Sequence, residues 1–227
     1  MKFIVFGLGS FGAALSQQLV NLGHEVIGVD RNSELADKYK NTITHTIVLD
    51  ATNPEAIKQL PFEDVDATVI GIGENEGVTV MVTALLKQIG VKRIICRVTS
   101  PLQKIVLETM NIEEFVYPES SSAERLALKL DLPGVINSFR FRDDYRLLEL
   151  NAPERYFGKT VESIRFAERY RLVLVTIVRD KNAKNIFGRD QALHQVMGHV
   201  DPQTKLLEGD ILFLFGTTRD LGGFVNH

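Results

Sequence analysis

The chain has 227 residues, 44% hydrophobic and 24% charged, with a formal charge of −3, a globular composition long enough for one large or two small domains. Residues 1–135 carry 12 basic and 17 acidic side chains and the remainder 14 and 12, so neither half has the basic excess that grips nucleic acid or anionic lipid. Cys96 is the single cysteine, which excludes an internal disulfide and points to a reducing compartment.

Apolar runs are strand-sized, far short of the roughly 20 residues of a membrane span. The start, Met1-Lys2-Phe3-Ile4-Val5-Phe6, meets glycine too early for the apolar stretch of a signal peptide. The expectation is a cytoplasmic protein with no direct membrane insertion, touching a membrane only through a partner.

Through residue 118, short apolar runs alternate with segments of helical periodicity. Strands are predicted at 2–6, 25–29, 45–49, 67–70, 93–96 and 114–116, and helices at 11–22, 33–39, 54–60, 76–89 and 101–110. Repeated βαβ units imply a Rossmann-type α/β fold, a doubly wound parallel sheet covered on both faces. A further helix is predicted at 119–130 and is broken by Asp131-Leu132-Pro133-Gly134. The domain boundary is placed there, giving domains 1–134 and 135–227. The second reads as a small α+β domain, with strands at 145–150, 172–178 and 210–215, a helix at 161–168 and a short terminal helix. Residues 180–205 read as polar and irregular.

Gly7-Leu8-Gly9-Ser10-Phe11-Gly12 falls between the first strand and the first helix. Gly7 makes the tight turn, Gly9 lets a pyrophosphate approach the backbone, and Gly12 lets the helix pack on the strand. Asp30 ends the second strand, 18 residues beyond Gly12, where an acid accepts both ribose hydroxyls. Its charge disfavours a 2′-phosphate, although the adjacent Arg31 offers a rescue. Ligands of such sheets lie beyond the carboxyl ends of the strands. That puts Asp50-Ala51-Thr52 near the adenine, Gly71-Ile72-Gly73 near the ribose and phosphates, Arg97 toward phosphate, and Glu119 after the sixth strand. Asp50 as a helix cap and Glu119 as a first-turn acid are the competing structural readings.

No catalytic group is expected. His24 and His45 begin strands on the edge opposite the ligand, His194 and His199 are poorly spaced for one helical face, His227 is the last residue, and Cys96 lies inside an apolar strand. No zinc-ligand, nucleophile-elbow or Walker-lysine pattern occurs.

The stretches FIVFGLGSFG at 3–12, GHEVIGVD at 23–30, Asp50-Ala51-Thr52, VIGIGENEGVTVMVT at 69–83, Arg97 and Tyr117-Pro118-Glu119 occur in that order. They are followed by FGKTV at 157–161, the run 173–179, and LEGDILFLFG at 207–216. Together they resemble the TrkA-like regulatory subunits of Trk/Ktr potassium uptake systems, the RCK (KTN) gating-ring proteins. The resemblance implies a homo-oligomer, a dimer assembled further into an octameric ring, beneath a membrane-embedded potassium translocating subunit. It implies an adenine nucleotide (NAD or NADH, ADP, ATP or AMP) at Gly7, Gly9, Gly12, Asp30, Asp50 and Arg97, with Glu119 as a candidate divalent-cation or inter-subunit ligand. Ser10 departs from ATP-favouring relatives, which often carry a basic residue there. The alternatives are a small NAD-dependent oxidoreductase, which lacks an evident acid or base, and a Rossmann-type transcription regulator, which lacks a winged helix.

Overall fold

The computed structural model describes residues 1–184 and 190–226. By packing, the chain divides into two units, Met1–Ser120 and Ser121–His227.

The first unit runs β1 (Lys2–Phe6), α1 (Ser10–Asn21), β2 (Glu25–Asp30), α2 (Ser33–Tyr39), β3 (His45–Val48), α3 (Pro54–Ile57), β4 (Ala67–Ile70), α4 (Glu76–Ile89), β5 (Ile94–Arg97), α5 (Pro101–Thr109) and β6 (Glu114–Val116). The strands are parallel, in the order β3-β2-β1-β4-β5-β6. The chain order reverses between β1 and β4, and this opens a crevice at their carboxyl ends. β1 and β4 are buried almost throughout, which explains their unbroken apolar sequence, whereas the edge strands β3 and β6 are only partly covered. One face buries Ile4, Phe6, Ile70, Leu86, Cys96 and Leu107; the other buries Val5, Leu8, Val26, Ile43 and Val69. Asn32, Asn53, Asn75 and Ser100 cap α2 to α5 by accepting first-turn N–H bonds.

The helix α6 (Pro118–Asp131) contains the division between the units. Leu128 and, just beyond the helix, Leu132 pack in the second core with Leu148, Leu150, Leu214 and Phe224. The division therefore falls earlier than the boundary at 134 that the Pro-Gly break suggests.

The second unit continues with β7 (Val135–Arg140), β8 (Tyr145–Asn151), α7 (Val161–Ile164), α8 (Phe166–Tyr170), β9 (Val173–Lys184), β10 (Asp190–Val196), β11 (Ile211–Thr217) and α9 (Thr218–Asn226). Its sheet is antiparallel, in the order β10-β9-β11-β8-β7. Three expectations are corrected. The helix expected at 161–168 is two short helices, broken where Arg165 adopts φ 59°. β7 was not anticipated. The segment expected to be irregular from 180 onward instead carries the end of β9 paired with β10, while 185–189 lie outside the described residues. Asp210 is fully buried and accepts Arg179 Nε at 2.6 Å, Arg179 Nη2 at 2.7 Å and the Leu207 N–H at 2.8 Å, which fastens the turn before β11 to β9.

Candidate functional site

The turn from β1 into α1 is built by its glycines. Gly7 adopts φ +88° and donates its N–H to Val29 O at 2.8 Å. A Cβ on Gly12 would sit 1.8 Å from Gly7 O, so the helix meets the strand only because residue 12 has no side chain. A Cβ on Gly9 would meet nothing within 4 Å. Gly9 is the N-cap of α1, and neither a side-chain cap nor a first-turn acid serves this helix. Its first N–H groups and the positive end of its dipole thus face the space beside Gly9, an arrangement suited to an anion. Ser10 is exposed there, and Phe11 is half-buried.

Asp30 closes the next side of the crevice. Its Oδ2 accepts the Leu8 N–H at 2.7 Å and its Oδ1 accepts the Asn32 N–H at 2.8 Å. The carboxylate therefore shapes the glycine turn and the entry to α2, and each oxygen keeps a lone pair for a further donor. Arg31 is exposed. Asp50 does not cap α3, as one reading had it; Asn53 does. Asp50 Oδ1 instead accepts the Thr52 hydroxyl at 2.7 Å and the Thr52 N–H at 2.9 Å. Those bonds, with a smaller attraction from Arg31, hold the Asp50 carboxyl below its ordinary range. Ala51 is buried.

On the far side of the crevice, Gly71 donates to Phe6 O at 2.7 Å, and a Cβ on it would lie 3.4 Å from both Gly12 Cα and Phe11 Cδ1. Ile72 O accepts the Thr79 hydroxyl at 3.2 Å. Arg97 spans this corner. Its Nη1 donates to Gly71 O at 3.0 Å, its Nη2 pairs with the Glu119 carboxylate, and its Cζ lies 5.8 Å from the Phe11 ring centroid. A Cβ on Gly73 would sit 2.4 Å from that Cζ, so the guanidinium rests against Gly73. Arg97 Nε is buried without a partner. Among the described residues, no group of three or more His, Cys, Asp or Glu gathers where it could hold a metal ion. Within one chain the Glu119 carboxylate is directed at Arg97 rather than at other acids. The uncapped α1, the open space at Gly9 and the orphaned Arg97 Nε all suit a phosphate-bearing ligand.

Residues 3–118 match the family model described as the TrkA-N domain. The chain belongs to the TrkA-N family. Ktr system potassium uptake protein C of Bacillus subtilis (strain 168) is 26% identical over 223 residues, which is 98% of this chain and 95% of that protein. The structure of the GsuK channel bound to NAD shares the fold with a TM-score of 0.63 at 15% identity, over 98% of this chain and 38% of that one. The Shewanella denitrificans Kef CTD in AMP bound form does so with a TM-score of 0.50 at 18% identity, over 57% of this chain and 79% of that one.

The TrkA-N unit gathers the expected residues unevenly. Gly7, Phe11, Gly12, Gly71, Gly73, Arg97 and Glu119 form one connected wall, and Asp30 joins it through Leu8. Asp50-Ala51-Thr52 follows the edge strand β3, beside β2, where Leu49 donates its N–H to Asp30 O at 2.9 Å. Sequence reasoning missed Glu76, whose carboxylate accepts the Thr99 and Ser100 hydroxyls, each at 3.0 Å, and so ties the start of α4 to the loop after β5. The pair Asn75-Glu76, a cap followed by a first-turn acid, is a signal that finds it. It also missed Gln103, buried, whose Oε1 accepts the Thr99 N–H at 2.8 Å.

Proposed function

We propose that this chain is a cytoplasmic, nucleotide-sensing gating subunit of a potassium uptake system, and not an enzyme. The observation that carries the reading is an uncapped helix N-terminus beside an open Gly9, flanked by Asp30 and Arg97, in a TrkA-N unit. The relative from B. subtilis, named for potassium uptake, aligns along 98% of this chain and supplies the transport context. Two proteins of the same fold were solved with NAD and with AMP, which supports an adenine nucleotide as ligand. Residues 1–120 act as the nucleotide-binding RCK unit and 121–227 as the regulatory module. The partner is a membrane-embedded potassium translocating subunit beneath which copies of this chain assemble, by dimers, into a ring. No helix among the described residues is long and apolar enough to cross a membrane.

In this reading Asp30 takes the ribose hydroxyls, the first-turn N–H groups of α1 take phosphate, and Arg97 takes the charge furthest along the crevice. Binding does regulatory work only through a difference in affinity between two states of the ring. Three features argue against an oxidoreductase. His24 meets Phe3 edge-on at the amino end of the sheet, His45 begins β3, and the Cys96 thiol is pushed up by burial and bonded to Thr83. The two histidines lie at the amino edge of the sheet, and Cys96, although near the carboxyl end of β5, is fully buried. The test is reconstitution with the translocating subunit in vesicles: potassium flux should depend on this chain and change with ADP, ATP or NADH. Flux indifferent to the chain and to nucleotide overturns the reading, as does hydride transfer across a panel of alcohols and hydroxy acids.

A further inference from the structure

The sheet of the second unit has two edges, and they differ. β7 follows Pro133-Gly134, shifts its register between Val135 and Asn137, and ends on Arg140. An irregular register and a charge are ordinary means of keeping an edge strand from pairing with another chain. β10 has neither guard along its length. Asp190–Val196 runs seven residues without a register shift, has no proline and no lysine, and carries its one carboxylate at the first position. Among the described residues, no strand pairs with its outer edge.

The inner edge supports β10 only in part. Asp190 to Gln195 pair with Lys184 to Arg179, the stretch of β9 that runs past Val178, where pairing with β11 has ended. Two strands alone are marginal in water, and a third makes such a ribbon stable. The chain following β10 does not supply it: the Met197 N–H still bonds Ile177 O at 2.9 Å, so the chain stays beside β9 there. A second β10 fits the vacant edge by sequence. Gln191 and Gln195 stand two places either side of Leu193. In an antiparallel pair centred there, Leu193 falls opposite itself, Gln191 opposite Gln195 and Asp190 opposite Val196, and no like charges face each other.

We propose that β10 pairs antiparallel with β10 of a second copy of this chain, about a twofold axis at Leu193, joining two five-stranded sheets into one of ten strands. Pairing of like with like about a twofold closes on itself, so it yields a pair of copies and not a fibre. It names a place where copies meet, which the nucleotide reading does not.

Oxidative cross-linking of the full chain, in a Cys96→Ser background, tests the pairing. Directly opposite Cβ atoms lie about 4.5–5.5 Å apart and diagonal ones about 7–8 Å, and a disulfide needs about 3.5–4.5 Å. Leu193→Cys should therefore give disulfide-linked dimers at least about fivefold more readily than Gln191→Cys or Gln195→Cys alone. The double variant of 191 and 195 should link again, because each position meets the other across the twofold. Within one strand the two lie roughly 13 Å apart, too far to join. Ala192→Pro disrupts β10, and added to Leu193→Cys it should abolish the link. No link at 193, equal linking at 191, 193 and 195, no link in the double variant, or a link that survives Ala192→Pro overturns the proposal. Light scattering of the reduced chains separates this from assembly in general: a mass above one chain without a link at 193 puts the contact elsewhere and overturns the pairing, and nucleotide titration is independent of either result. A melting curve for each variant verifies folding.

Discussion

Gly9 and Gly12 sit three residues apart in one motif, yet the structure assigns them opposite physical roles. Gly9 has φ −65° and ψ −171°, an ordinary extended backbone, and its missing Cβ would touch nothing within 4 Å. Alanine there gains about 0.4–1 kcal/mol by restricting the unfolded chain and loses a similar amount as a poorer helix cap. The net stability change should stay within about 0.5 kcal/mol. The new methyl, however, fills the space in which a phosphate would approach the first turn of α1. Losing a charge-assisted bond there costs about 1.5–3 kcal/mol, so nucleotide affinity should fall at least about tenfold. At Gly12 the added Cβ would lie 1.8 Å from a backbone carbonyl oxygen, which cannot swing aside. α1 must lift from β1, and severe overpacking of this kind costs about 3 kcal/mol, or a melting point lower by roughly 6–12 °C at this size. Calorimetric melting and nucleotide titration of both variants decide the matter. The reasoning is refuted if Gly9→Ala melts far below the native chain or binds nucleotide as the native chain does. It is equally refuted if Gly12→Ala melts normally.

Asp30→Ala strips acceptors from the N–H groups of Leu8 and Asn32, so it should cost about 1–3 kcal/mol in stability besides weakening nucleotide at least about tenfold; unchanged titrations would remove Asp30 from the site. Asp210→Ala strands the Arg179 guanidinium, and the second unit should lose about 3–5 kcal/mol in urea unfolding; a loss below about 1 kcal/mol would show the pair to be idle. A bond from Arg146 holds the Glu124 carboxyl below its ordinary 4.5, and a bond from Thr217 holds that of Asp220 below 3.8. Depressed carboxyls give stability that is complete above their unfolded values and is lost as pH falls through the folded ones. Urea midpoints should therefore owe no slope to these two groups above about pH 5.5 and should drop below about pH 4, less steeply in Arg146→Met. Light scattering at micromolar concentration should give a mass above that of one chain, and a monomer with and without nucleotide would defeat the ring assignment.

The parallel sheet was legible because burial on both faces writes itself as an unbroken apolar run: Phe3 to Phe6 and Ala67 to Ile70 are covered on every side. The helices were legible through their punctuation, such as Asn32, Asn75 and Ser100 at the starts and the left-handed Gly90 after α4. β7 escaped because it is an edge strand of an antiparallel sheet, with Val135 and Ser138 inward and Ile136 and Phe139 outward, so no simple pattern stands out. β9 was underestimated for a related reason. Its pairing with β11 ends at Val178, opposite Ile211, and from there to Lys184 it pairs with β10 alone. Without a central position the apolar signal stops although the strand continues. The break at Arg165 has no signature, since a left-handed arginine is imposed by its surroundings. In the site, the glycines and Asp30 could be read because each has a local backbone reason. The clasp of Gly71, Gly73, Phe11 and Glu119 on Arg97 could not, because it joins the loop after β4, the end of β5 and the first turns of α1 and α6, which are far apart in sequence.

The geometry also bounds how sharply such a site can sense. Moving a two-state ring from one hundredth to ninety-nine hundredths active requires about 10⁴-fold tighter binding to the favoured state, about 5.5 kcal/mol. One charge-assisted bond supplies about 1.5–3 kcal/mol. No single contact in this crevice is sufficient, so the ribose at Asp30, phosphate at α1 and charge at Arg97 would have to differ together between states. Discrimination between ADP and ATP rests on less: one additional phosphate, an exposed Ser10 in place of a cation, and an Arg97 that already holds a carboxylate. A serine hydroxyl gives a neutral bond worth about 1 kcal/mol where a second cation would add a charged one. A ratio of affinities below about tenfold is what that inventory supports. If the proposed function holds, a single chain should sort ATP from ADP weakly, and a sharper response would have to come from several copies responding together.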